Sequence, residues 1–458
     1  MKIMALGKSL SGKLLFPTLS QDEFSRRVAA SLGGIRDASA HPPLLGPRAF
    51  QRKSLDVGDP RQAGWTWLVA ADDPRKDDYL AIIEPLARLR GMLEPEKPIV
   101  FAGEADWADW LQDEYFGLTL DGKQVPLYVL FIGGPRHLPF GLQAMLDSIA
   151  HVGRLDFETL DELKSYVDKV IRLERCPVPL NPEILFFGTD HGPEDPTHYS
   201  AKWMVKPLAT HVVDRHGWTA TELTAGNATK HRLKSALEKS RPAILYTASH
   251  GLGMEGGPAI DRQRLNGAIC CDVDGPLTRD ELFAADDVPS TPFLEGGVFF
   301  QFACFGYGTP ATSDYNHWFS PVAASNPVDP FVAALPKRLL AHPHGPVAFI
   351  GHVDTAFLHA FDNSAEQDEG VRWGTRMSPF VHAIDQLIGA QPSSLAMQQM
   401  NDRYNIANGY LTRVYETQQK DKTGSLPELG QRLTDNWIFR SDAQNYMVLG
   451  DPAARLRV

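Results

Sequence analysis

Cysteine is scarce in this chain: four occur in 458 residues, Cys176, Cys270, Cys271 and Cys304. None is paired at CxxC spacing, and adjacent Cys270 and Cys271 make a poor disulfide framework. That excludes a stapled secreted scaffold and points to a reducing compartment. Apolar runs of membrane-spanning length are absent. The opening Met1-Lys2-Ile3-Met4-Ala5-Leu6 is basic and then apolar, but Gly7, Lys8 and Ser9 cut it short, too soon for a secretory signal. The expectation is a cytoplasmic protein with no membrane partner. Basic charge is in deficit: 45 Lys and Arg stand against 56 Asp and Glu, a net charge of −11. This argues against a phosphate-binding surface and a nucleic-acid partner. Two cofactor patterns are incomplete. Residues 7–13 fit GxxxxGK, but Leu14 stands where Ser or Thr would hold magnesium, and Pro17 follows too soon for a phosphate-binding helix start. His342, His344, His352 and His359 have no carboxylate at ligand spacing, so no metal and no other cofactor is expected.

What is present describes a globular protein, 43% apolar and 22% charged. Its length suits several domains. Residues 1–64 show little periodicity and read as an N-terminal arm or pro-segment with one short helix near residues 22–30. Residues 65–176 read as an N-terminal α/β subdomain, with strands over 65–71, 98–102 and 127–133 and helices over 78–90 and 159–174. Thr159 and Glu162 form a capping box at the second helix. Leu160, Leu163, Val167, Val170 and Ile171 form its apolar stripe. Pro177, Pro179 and Pro182 then stop the helix. Residues 177–458 read as a second α/β subdomain, with helices over 228–239, 330–341 and 394–418 and strands over 183–187 and 346–351.

Two segments of this second unit carry chemistry. Residues 243–251 and 297–306 are each an apolar run that ends in a reactive side chain, His250 or Cys304, and then a glycine. Continuous apolar runs bounded by turn residues suit strands buried on both faces of a parallel sheet. Ligands collect at the carboxyl ends of such strands. A thiolate nucleophile needs a neighbouring base, and His can take the thiol proton and later return it to a leaving amine. The N–H groups of Gly251 and Cys304 are candidate donors to the oxyanion of a tetrahedral intermediate. Gly306 and Gly308 would let the chain turn sharply after the nucleophile.

The blocks Thr247-Ala248-Ser249-His250-Gly251 and Ala303-Cys304-Phe305-Gly306 resemble the His-Gly and Ala-Cys blocks of the caspase-like (clan CD) cysteine peptidases, in particular the gingipain-type and CHAT-domain branch. Leu130–Gly134, Val152–Asp156 with the helix after it, and Val448–Ala453 resemble further gingipain-type segments in the same order. The resemblance implies a caspase/gingipain-like α/β/α sandwich with a mostly parallel central sheet and two α/β subdomains. It implies a cysteine endopeptidase acting on a protein or peptide substrate through an acyl-enzyme, with His250 as base, Cys304 as nucleophile and Gly251 as oxyanion donor; the missing export signal departs from the secreted gingipains and keeps the expected setting cytoplasmic. It also implies an activating partner protein and a bacterial defence or regulatory role. In related enzymes an acidic residue receives a substrate Arg or Lys beside the cleaved bond; here the candidate is Asp190, in the loop Gly188–Asp195. The His-to-Cys segment is long and acidic (Asp261, Asp272, Asp274, Asp280, Glu281, Asp286, Asp287), and Trp318 and Trp373 stand in loops that suit substrate subsites. The alternative reading is a catalytically latent scaffold or sensor of the same fold that binds a partner protein. A small-amide thiol hydrolase is a third.

Overall fold

A computed structural model describes residues 2–9, 12–32, 56–103, 107–119, 125–253, 259–272, 277–315, 329–361, 375–420 and 430–457. Asp274, Trp318 and Trp373 lie outside the described residues. The core is a ten-stranded sheet built from β1 (Trp65–Ala70), β2 (Ile99–Phe101), β3 (Tyr128–Ile132), β4 (His151–Leu155), β5 (Asn181–Gly188), β6 (Thr219–Thr224), β7 (Pro242–Ala248), β8 (Val298–Phe302), β9 (Ala348–His352) and β10 (Tyr446–Gly450). Their order across the sheet is β2-β1-β3-β4-β10-β9-β8-β7-β5-β6. Every neighbouring pair is parallel except β9 with β10. The sheet is therefore two parallel halves joined at β10, which realises the expected mostly parallel α/β arrangement.

The apolar strands are buried because helices cover both faces. Leu245, Phe299, Phe349 and Leu449 stand at one level of neighbouring strands and belong to one core cluster with Leu163, Val167 and Leu339. The alternate positions Tyr246, Phe300, Ile350 and Val448 belong to a second cluster with Phe380 and Ile384. Period-two alternation thus feeds two separate cores, and a continuous apolar run is the sequence such a strand requires. The helices include α1 (Lys76–Leu89), α2 (Leu160–Arg175), α3 (Ala334–Ala341), α4 (Ser378–Ile388), α5 (Gln398–Lys420) and α6 (Gly430–Gln444). The capping box of α2 is present, with Thr159 and Glu162 bonded reciprocally. The helix expected over 330–341 begins only at Ala334. Phe331–Val332 instead pairs antiparallel with Gly308–Thr309, so its backbone groups are taken before the helix starts.

β10 is seated by a buried polar centre. The Asp451 carboxylate accepts Trp65 Nε1–H at 3.0 Å and Arg90 Nε–H at 2.7 Å. Arg90 also donates to Glu174 at 2.8 Å. Asp451 is fully buried and Arg90 nearly so. This cluster ties the start of β1, the end of α1, the end of α2 and the turn after β10 into one unit. Gly450 precedes it at φ 128°, a conformation that excludes larger residues. Removing one partner of a buried pair leaves the other charge uncompensated. Asp451→Ala should therefore lower the unfolding free energy by about 3–5 kcal/mol in denaturant titration. A loss below about 1 kcal/mol, as for an exposed pair, would contradict that role.

Candidate active site

Strands β7 and β8 pair parallel from Ile244↔Val298 to Ala248↔Phe302. Two residues beyond the last pair stand His250 and Cys304, so their main chains leave the carboxyl edge of the sheet as neighbours; the side chains do not meet, since the thiol engages Ala356 and His250 Nδ1 has no hydrogen-bond partner. Ser249 N–H donates to Phe302 O at 3.2 Å and holds the two chains together as they leave it. His250 opens the short strand His250–Leu252, which pairs antiparallel with Ile269–Cys270. Both His250 and Cys304 are fully buried.

The loop after Cys304 is pinned by main-chain bonds. Phe305 N–H donates to Asp354 O at 2.9 Å and Tyr307 N–H to His352 O at 3.0 Å. Phe305 has φ 58°, a left-handed conformation that costs a non-glycine residue on the order of 1 kcal/mol or more. The sharp turn after Cys304 is therefore made at Phe305. Gly306 and Gly308, expected to supply it, have no positive φ and serve close packing: a Cβ on Gly308 would stand 2.5 Å from Phe331 O. Gly251 is needed for proximity too, because a Cβ there would collide with the Cys304 carbonyl.

The carboxylate that orients His250 is Asp195. His250 Nε2 stands 2.8 Å and 3.0 Å from its two oxygens. Asp195 is the N-cap of the short helix Pro196–Ser200 and accepts both Thr197 N–H at 3.0 Å and Thr197 Oγ1–H at 2.6 Å, which fixes the carboxylate in place. The Lys8 ammonium reaches it at 3.0 Å. Burial raises the Asp195 carboxyl, but the hydrogen bond and charge of His250, the Lys8 charge and Thr197 outweigh it and hold the group well below the usual carboxylate range. An ionised Asp195 keeps the proton of neutral His250 on Nε2. His250 Nδ1 is then the basic nitrogen, and it is buried with no hydrogen-bond partner. His191 stacks on His250 with ring centres 5.8 Å apart; burial and the Lys8 charge push its pKa down to about 4.

The Cys304 thiol lies against Ala356, whose N–H donates to Sγ at 3.3 Å. Burial pushes this thiol far above the ordinary range. Asp190 stands apart from the His250–Asp195 pair. Its carboxylate faces His198 Nδ1 at 3.1 Å and accepts Gly192 N–H at 2.9 Å, while its own N–H donates to Asp272 Oδ1 at 3.0 Å.

The histidine-rich stretch does find carboxylates, brought by α6 from far along the chain: His352 faces Asp442 at 3.3 Å and His359 faces Asp435 at 2.6 Å. Elsewhere His211 and His216 both direct Nε2 at Asp385, at 2.6 Å and 2.7 Å. Among the described residues this trio brings three potential metal ligands within 4.8 Å of one another.

No family model matches the chain, and no curated protein matches it. Solved structures similar to it include the Arg-specific cysteine proteinase gingipain R, at 14% identity over 86% of this chain and 79% of that one, with a TM-score of 0.44. A complex of Porphyromonas gingivalis RgpB pro- and mature domains is 12% identical over 86% and 80%, with a TM-score of 0.45. A third, described as a protease, is 13% identical over 86% and 78%, with a TM-score of 0.48. The resemblance to caspase-like peptidases expected from the sequence has its counterpart in these similarities. At such identities and scores they say nothing of chemistry, which rests on the geometry above.

Asp272 gives the site a measurable titration. Burial, with the Asp190 charge beside it, pushes its pKa up to about 7, and its Oδ2 is buried without a partner. A carboxyl whose folded pKa exceeds its unfolded value stabilises fully below the unfolded pKa, and that contribution is lost as pH rises through the folded one. Asp272→Asn keeps the Oδ1 acceptor and removes the charge. Its stability relative to wild type should therefore rise between pH 4 and pH 7, by about 2 kcal/mol after allowance for screening, in denaturant titrations across that range. A difference independent of pH would contradict the assignment.

Proposed function

We propose that the protein is a cysteine endopeptidase in which Cys304 is the nucleophile, His250 the base and Asp195 the carboxylate that orients it. The observation that carries this reading is the state of His250. Its Nε2 is committed to a fixed carboxylate and its Nδ1 is unpartnered, at the strand ends where β7 and β8 deliver His250 and Cys304 in register. A buried base without a partner is costly as pure structure and useful as a proton acceptor.

The steps follow from these residues. His250 Nδ1 takes the thiol proton and the Cys304 sulfur attacks the substrate carbonyl, whose oxygen gains the negative charge. Gly251 N–H is the proposed donor to that oxygen. Collapse of the intermediate breaks the C–N bond, His250 returns the proton to the leaving amine, and an acyl-enzyme remains. Water activated by His250 then releases the acid. Asp195 holds the imidazole tautomer and balances the imidazolium charge. Asp190 is the acid that the sequence resemblance assigns to a substrate Arg or Lys. Its oxygens are engaged by His198 and Gly192, so a basic side chain would have to compete for them. A cytoplasmic setting and an activating protein partner belong to the same proposal.

One observation favours the second reading, a latent scaffold: the thiol is fully covered. The test is cleavage of a fluorogenic peptide library varied at the residue before the cleaved bond, with wild type, Cys304→Ala, His250→Ala and Asp195→Asn side by side. Cleavage should vanish in Cys304→Ala. It should fall about 10²–10⁴-fold in His250→Ala and Asp195→Asn, with the thermal unfolding midpoint of Cys304→Ala close to wild type. Cleavage unaffected by Cys304→Ala would refute the peptidase reading.

A further inference from the structure

The cover over the thiol is made by this chain itself. Residues 4–8 run extended between the loop after Cys304's neighbour strand and the segment 356–358. On one side the pairing is antiparallel: Leu6 N–H donates to Ala356 O at 3.0 Å, Leu358 N–H donates to Met4 O at 3.1 Å, and Ala5 bridges Phe357. On the other side Gly7–Lys8 pairs parallel with Gly251–Leu252. There Gly251 N–H donates to Leu6 O at 3.1 Å and Gly253 N–H to Lys8 O at 2.9 Å.

The position of the Leu6–Gly7 peptide is the telling one. Its carbonyl oxygen accepts the N–H of Gly251, the donor the mechanism assigns to the oxyanion. Leu6 N–H, which donates to Ala356 O, lies near enough to the Cys304 thiol to oppose the rise of its pKa. A Cβ on Gly7 would stand 3.4 Å from Cys304 Sγ. The Leu6 side chain is fully buried and shares an apolar cluster with Ala248, Phe302, Ala356 and Phe361. Two residues further on, Lys8 meets Asp195. An extended ligand held by two main-chain ladders, with alternate side chains in pockets, is how a strand is recognised by an open edge. Here that ligand also lays a peptide carbonyl on the oxyanion donor.

We infer that residues 4–8 occupy the peptide cleft of the site as an internal surrogate substrate, and that the cleft accepts an aliphatic residue before the cleaved bond, a small one after it and a basic one next, at Asp195. Leu6, Gly7 and Lys8 mark these three subsites. The inference takes the word substrate from the peptidase reading, but the seating of a peptide beside Cys304 is independent of turnover. In the resting chain the surrogate excludes both peptide and water from the thiol, so the site is closed until residues 4–8 are displaced.

The test is alkylation of Cys304 by iodoacetamide, followed by peptide mass spectrometry, in wild type, Leu6→Asp and Leu6→Ala. A carboxylate cannot enter the Leu6 pocket without a large cost. Leu6→Asp should speed Cys304 labelling by at least about tenfold and Leu6→Ala by less, with exposed Cys176 reacting equally in all three. A synthetic peptide Lys-Ile-Met-Ala-Leu-Gly-Lys-Ser, copying residues 2–9, should restore protection to Leu6→Asp, and the same peptide with Arg in the Leu6 place should not. Equal Cys304 labelling in wild type and both variants, all with intact thermal transitions, would overturn the inference. Protection by the Arg peptide equal to that by the Leu peptide would overturn it as well. Protection without any library cleavage by the opened Leu6→Asp variant would uphold the cleft and refute the peptidase reading; cleavage by that variant without selective protection would do the reverse.

Discussion

The register between β7 and β8 is the constraint on which the rest depends. Parallel pairing from Ile244↔Val298 to Ala248↔Phe302 leaves no freedom in where the next residues emerge. A slip of one residue would exchange the faces of Tyr246 and Leu245, which belong to separate cores, and so expose one core to the wrong layer of helices. The same packing that fixes the cores therefore fixes His250 beside Cys304. The site inherits its precision from the sheet and needs few contacts of its own.

Around that pair the protein manages charge in a half-dry edge. Asp195 is held ionised by His250, Lys8 and Thr197, whereas Asp272, just after the strand Ile269–Cys270, is pushed toward neutrality with one oxygen unpartnered. Two acids in one neighbourhood thus carry opposite tendencies, set by whether cations and donors face them. Lys8 contributes to both balances, since its charge also opposes the rise at Asp272, and it opposes protonation of His191 as well. Displacing residues 4–8 would remove that ammonium along with the peptide cover, so opening the cleft changes the electrostatics of His250's partner as well as access to the thiol.

Much of the sheet was legible because buried parallel strands write themselves as uninterrupted apolar runs. The capping box at Thr159 marked its helix for a similar reason: local hydrogen bonds leave local signals. The pairing of His250 with Asp195 left none, since the two are 55 residues apart and only the fold joins them. Asp195-Pro196 does carry an N-cap signature, which identifies a fixed carboxylate without naming its partner. Asp190 drew attention by its place after β5, yet its oxygens go to His198 and Gly192. Residues 4–8 looked irregular because a strand of two residues (Gly7–Lys8) has no period to detect, and its ladder partners lie more than 240 residues away. The turn at Phe305 was likewise hidden, because the glycines beside it were the residues expected to adopt it.

A crystal structure of the protein after reaction with a peptidyl acyloxymethyl ketone that carries leucine beside the ketone would test the central claim most directly. The expected structure has a thioether from Cys304 Sγ, the ketone oxygen on Gly251 N–H, the leucine side chain in the Leu6 pocket and residues 4–8 displaced. Modification confined to Cys176, with residues 4–8 still seated over an unmodified Cys304, would contradict it.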